Sequence, residues 1–114
     1  MSVKLTTRQV GDVTVIDAVG RITLGEGASA FRDKIRELAA SGNKKMLLNL
    51  AEVSYIDSSG IGEMVSGFTT VTNQGGVVKL LGLTKRVKDL LQITKLYTVF
   101  EVFEDEATAV RSFA

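Results

Sequence analysis

Met46-Leu47-Leu48-Asn49-Leu50-Ala51-Glu52-Val53-Ser54-Tyr55-Ile56-Asp57-Ser58-Ser59-Gly60-Ile61-Gly62 changes its apolar rhythm partway along. Met46 to Leu50 is almost continuously apolar, with lysines before it and Glu52 after it. That pattern marks a strand buried on both faces, as in a parallel or mixed sheet with helical cover. From Ser58 the spacing turns helical. Ile61, Met64, Val65, Phe68 and Val71 share one stripe, which stops at Asn73-Gln74-Gly75-Gly76. A buried strand feeding an amphipathic helix is half of a strand-helix-strand crossover, and that unit decides the fold class.

The flanking segments agree with it. Val3 to Gln9 and Val13 to Val19 alternate around Gly11-Asp12, which predicts an antiparallel hairpin. In the second run Val13, Val15 and Asp17 lie on one side and Thr14, Ile16 and Ala18 on the other. Gly20 to Gly27 reads as loop. Ala28, Phe31, Ile35 and Leu38 then form a helical stripe that ends at Gly42-Asn43. Val77 to Leu81 is another buried-type strand, and Thr84 caps a short helix that turns Val87, Leu90 and Leu91 inward. Val99 to Phe103 alternates as a strand, and Asp105 to Phe113 closes the chain with a helix. The expected architecture is one α/β domain over residues 1–114. Its sheet is mixed and mostly parallel, with helices packed largely on one face.

Composition narrows the function. The 114 residues are 45% hydrophobic and 24% charged, with 14 basic against 13 acidic residues. A net charge of +1 gives no global attraction to nucleic acid or anionic lipid. With no histidine and no cysteine, a Ser-His-Asp triad, a thiolate nucleophile and the usual zinc sites are all excluded. The first twenty residues hold no apolar run of signal-peptide length, and no later run is long enough to span a bilayer. The expectation is a cytoplasmic protein that is not an enzyme, takes no cofactor or metal, and engages neither nucleic acid nor membrane.

Asp57-Ser58-Ser59-Gly60 is the informative turn. Asp57 or Ser58 can accept hydrogen bonds from the free amides of the helix that follows. The same amides and the helix dipole tolerate a phosphate on Ser58, which adds about −1.5 to −2 charges beside Asp57. On a helical wheel Ser59, Glu63, Ser66 and Thr70 fall opposite the core stripe. Gly60, Gly62 and Gly67 each cost about 1 kcal/mol relative to alanine and so call for a packing or partner role. Packing accounts for Gly60, while either role is open for Gly62 and Gly67. Tyr55, at the strand's end, reads as core.

Three rival motifs fail. Gly25-Glu26-Gly27-Ala28-Ser29-Ala30 matches G-x-G-x-x-A formally, but the chain is too short for a two-half nucleotide fold. Ile56-Asp57-Ser58-Ser59-Gly60 lacks the first glycine of a nucleophile elbow, and no histidine can serve as base. Lys44 and Lys45 with Lys85, Arg86 and Lys88 would be a nucleic-acid patch only without the interleaved Asp89.

Asn49 to Gly62 resembles the hallmark segment of the STAS domain in the anti-anti-sigma factor (anti-sigma factor antagonist) family. Gly75-Gly76-Val77-Val78, Thr84 to Leu91 and Phe100-Glu101-Val102-Phe103 extend the likeness over essentially the whole chain. The resemblance implies that Ser58, in preference to Ser59, is phosphorylated by an anti-sigma factor serine kinase. The unphosphorylated form would bind that kinase and free a sigma factor for transcription, and a PP2C-type phosphatase would restore it. The implied partner surface comprises Asp57, Ser58, Ser59, Gly60 and Gly62, with Glu63, Ser66 and Thr70 along the helix. Family members carry Gly-x-Leu-Asp before the first helix. This chain reads Gly20-Arg21-Ile22-Thr23-Leu24-Gly25-Glu26 there, so Glu26 is the acidic residue, shifted in position. A monomer or weak dimer is expected. The alternative within the family is a non-sigma scaffold or a transporter-associated regulatory subunit.

Overall fold

A computed structural model describes residues 3–114. Strands β1 (Val3–Val10) and β2 (Val13–Ile22) form the antiparallel hairpin, closed by Gly11 at φ 63° and Asp12, with Val10 opposite Val13. Strand β3 (Lys45–Ile56) then runs parallel to β2, β4 (Val77–Leu81) parallel to β3, and β5 (Val102–Phe103) parallel to β4. The five strands lie in sequence order across the sheet. Helices α1 (Glu26–Ala40), α2 (Ser58–Asn73) and α3 (Lys85–Ile93) are the three crossovers, and α4 (Glu106–Arg111) ends the fold. No helix among the described residues is long and apolar enough to cross a membrane.

Two cores explain the apolar pattern of β3. Met46, Leu48 and Leu50 join Ile16, Phe31, Ile35, Met64 and Leu80 in the principal core. Leu47 faces the other way, with Val13, Val15, Leu81 and Ala109 under α4. A strand between two apolar layers has no wet face, so its sequence has no alternation. The two sides expected for β2 are the two sides found: Ile16 and Ala18 enter the principal core, Val13 and Val15 the smaller one. Asp17 continues the α4 side, where Arg8 bonds it at 2.6 Å and reaches Glu106 of α4 at 2.6 Å.

Three boundaries differ from expectation. Gly20 to Gly27 is mostly not loop. Gly20, Arg21 and Ile22 continue β2 by pairing with Val53, Tyr55 and Ile56 after register shifts, and α1 begins at Glu26 rather than Ala28. The strand expected at Val99 to Phe103 is cut to two residues. A 3₁₀ turn occupies Leu96–Thr98, and Phe100 is drawn into the core, edge-on to Phe68 with ring centroids 5.2 Å apart. The last helix begins at Glu106, because the Asp105 carboxylate accepts the Thr108 amide at 2.9 Å and serves as the cap.

Candidate partner-binding site

The C-terminal ends of β2 and β3 lie side by side, Ile22 opposite Ile56, so the connections leaving them share one edge of the sheet. Asp57 is the first residue out of β3. Its backbone is extended and its side chain caps α2: Oδ1 accepts the Gly60 amide at 2.9 Å. The other oxygen, Oδ2, accepts the Leu24 amide from the β2–α1 loop, also at 2.9 Å. The Asp57 amide donates to Ile22 O at 3.3 Å. One residue thus ties the start of α2 to the loop before α1. The Leu24 amide, then the Gly60 amide, hold its carboxyl below the ordinary carboxylate range.

Ser58 follows as the first residue of α2, exposed, and its hydroxyl makes no hydrogen bond to any described residue. Ser59 is half-buried. The structure sets Ser59, Glu63, Ser66 and Thr70 on the flank of α2 rather than its outward face. All four are half-buried, and Glu63 reaches Arg32 of α1 at 3.9 Å. The exposed positions of the helix's first half are Ser58 and Gly62. The wheel misplaced the outward face because two of the buried positions are glycines: Gly60 and Gly67 lie under the helix with Met64 and Val71, and glycine carries no hydrophobic signal.

The three glycines now separate. A methyl on Gly60 would meet the Ile22 carbonyl oxygen, and one on Gly67 would lie 2.8 Å from Cδ1 of Ile35. Both are packing glycines. A methyl on Gly62 meets nothing within 4 Å, so nothing inside this chain requires glycine there.

Glu26 is exposed in the first turn of α1, next to the loop that Asp57 holds. Leu24, in that loop, is 79% exposed. No periodicity could single out one leucine between Thr23 and Gly25, since its backbone is held by the bond its amide donates to Asp57, thirty-three residues away. Tyr55 corrects its expected place in the core. It is half-exposed, with Arg21 at 5.3 Å and Arg86 at 5.1 Å from its ring centroid. The basic residues do not form one patch. Lys45 starts β3 at the opposite edge and bonds Asp12 at 2.6 Å, while Lys85 pairs with Asp89 at 3.0 Å. No group of three or more metal-binding side chains occurs among the described residues.

Two consequences can be measured by thermal denaturation. Asp57→Ala removes a cap worth about 1 kcal/mol and lowers Tm by roughly 5 °C at neutral pH. Because the folded carboxyl is held low, that stabilisation is complete above the ordinary carboxylate value. It is lost only as pH falls from the ordinary value through the lower folded value, so wild type and variant begin to converge below about pH 4. Gly62→Ala raises stability by about 0.5–1 kcal/mol, as in an open helix interior. Gly67→Ala lowers it by about 1–3 kcal/mol through overpacking against Ile35.

Comparison with known proteins places the whole arrangement. The STAS domain model matches residues 4–109. The anti-sigma-B factor antagonist of Bacillus subtilis is 31% identical over 102 residues, covering 90% of this chain and 92% of that protein. An anti-sigma factor antagonist from Mycobacterium paratuberculosis shares the fold with a TM-score of 0.88 at 15% identity, covering 98% and 94% of the two chains. The Bacillus cell fate determinant SpoIIAA in its phosphorylated form does so with a TM-score of 0.77 at 19% identity, covering 97% and 100%. With its five-stranded mixed sheet and the Asp57-Ser58 turn at one edge, the chain belongs to the STAS domain family, among the anti-sigma factor antagonists.

Proposed function

We propose that this protein is a phosphorylation-switched ligand of an anti-sigma factor serine kinase, acting in the cytoplasm through the Ser58 turn. The observation that carries the reading is the state of Ser58. Its hydroxyl is exposed, unbonded among the described residues, and set beside a carboxylate whose oxygens both already accept backbone amides. A kinase can reach that hydroxyl without unfolding anything, and the fold loses no internal bond when it is modified. The half-buried Ser59 is the poorer acceptor.

The surface around Ser58 supports partner docking. Gly62 leaves the exposed side of α2 open, one turn beyond the serine. Leu24 offers an apolar side chain from a loop that Asp57 holds in place, so little ordering entropy is lost on binding. Exposed Glu26 borders that loop, and the half-buried flank of Ser59, Glu63, Ser66 and Thr70 borders the helix. The unphosphorylated surface binds the kinase and frees the sigma factor. A phosphate introduces like-charge repulsion and steric bulk there, and a PP2C-type phosphatase reverses it. The relative from Bacillus subtilis is named as an antagonist of an anti-sigma factor, and the SpoIIAA fold is known in a phosphorylated form.

Expected outcomes are specific. Ser58→Ala binds the partner kinase constitutively and is not labelled by it. Ser58→Asp weakens binding by roughly two to three decades, equivalent to about 3–4 kcal/mol. Equal labelling of wild type and Ser58→Ala by the purified kinase would place the phosphate elsewhere. Leu24→Asp lowers kinase affinity at least tenfold in a calorimetric titration while shifting Tm by less than about 2 °C, since its side chain supports no core. Unchanged affinity would remove Leu24 from the docking surface.

A further inference from the structure

A groove of about 590 Å³ runs from the end of β3 to α3, with Tyr55, Asp57 and Ser58 along one wall and Lys85, Arg86, Asp89 and Ile93 along the other. Arg86 in this groove, and Arg21 in the shallower recess beside it, are held in an unusual way. The Arg86 and Arg21 guanidinium groups both rest against the Tyr55 ring, at 5.1 and 5.3 Å from its centroid. Neither has a carboxylate within ion-pair distance among the described residues. An aromatic face positions a cation without neutralising it, so each guanidinium keeps its donors available for an anion. Lys85 is paired only with Asp89, on a side chain 88% exposed, and a surface pair of that kind is worth little and is easily exchanged.

The opposite wall has the reverse problem. A phosphate on Ser58 would sit next to the ionised Asp57 carboxylate, and the helix start is already partly spent. The Gly60 amide donates to Asp57 Oδ1, and the Ile61 amide to Asp57 O at 3.0 Å. Donors for three phosphate oxygens must come largely from elsewhere, and the basic side chains lining the same groove are those of Lys85 and Arg86. We propose that Arg86, with Lys85, is the receptor for the Ser58 phosphate, so that phosphorylation latches α3 to the start of α2 and closes the groove. This rests on the reading that Ser58 is the modified residue. A phosphate of about −1.5 to −2 charges pairs with the unpaired Arg86 and competes with the single charge of Asp89 for Lys85. The phosphorylated protein therefore differs in shape as well as charge: Tyr55 and the 78% exposed Ile93 lose the open space between them.

The test installs phosphoserine at position 58 by genetic-code expansion, so it does not depend on any kinase. A ³¹P NMR titration then follows the second ionisation of the phosphate, whose ordinary value is about 6. Replacing both cations (Arg86→Gln with Lys85→Gln) raises that ionisation by about half a unit or more relative to the otherwise unmodified phosphoprotein, because paired cations favour the dianion. Lys44→Gln, before β3 at the other edge of the sheet, leaves it unchanged. The double variant exchanges exposed residues and keeps Thr84 as the helix cap, and far-ultraviolet circular dichroism confirms that it folds. Identical titrations in the double variant and its parent overturn the latch. A phosphoprotein with the latch intact that binds the partner kinase as tightly as the unmodified chain overturns the switch instead.

Discussion

The Asp57 carboxylate is the interaction on which the edge of the sheet carrying the proposed site depends. Its two oxygens each accept one amide at 2.9 Å, from Gly60 in the first turn of α2 and from Leu24 in the loop before α1. A helix start and a distant loop are thereby fixed to a single side chain, itself fixed by the pairing of Ile22 with Ile56. A carboxylate suits this task better than a hydroxyl, since it offers acceptors in two directions and its charge complements the helix start. Ser58 then stands free not because the region is loose, but because its neighbour has already satisfied the local donors.

The sheet provides the rigidity behind that edge. Three parallel crossovers in sequence order place the ends of β2, β3 and β4 together, so the loop before α1, the start of α2 and the start of α3 converge. Thr84 ties α3 into this edge, donating its hydroxyl to Val53 O at 2.9 Å and accepting the Val87 amide at 3.4 Å. On the far face α4 is held by the buried Lys79, which donates to Ser112 O at 2.9 Å and lies 4.8 Å from the Phe113 ring centroid. The edge carrying the proposed site is thus mounted on a sheet covered on both faces.

Charge at this edge is held asymmetrically by the fold. The Asp57 charge is absorbed by backbone amides within its own wall of the groove. The charges of Arg21 and Arg86 are only steadied by Tyr55. Under the proposed modification an anion at Ser58 would meet a satisfied neighbour on one side and the unpaired Arg86 on the other, a difference in environment that a count of charges cannot express.

By itself the sequence determined the α/β class, the hairpin, the buried β3 and the helix opening at Ser58, because these follow from local periodicity and capping. The strand alternating across two cores and the Thr84 cap were legible for the same reason. Only the tertiary structure decided what depends on contact between distant segments. β2 runs on through Gly20 to Ile22 because β3 lies beside it, and Phe100 leaves its strand because Phe68 receives it. Tyr55 left its expected place in the core because arginines from β2 and α3 reach it, and Leu24 became prominent through a bond from Asp57. The outward face of α2 shifted because glycines occupy two of its buried positions, where a residue without a side chain leaves no mark on a pattern of hydrophobic ones. Periodicity reports which way a side chain must face to be buried; which distant atoms meet it is written only in the folded chain.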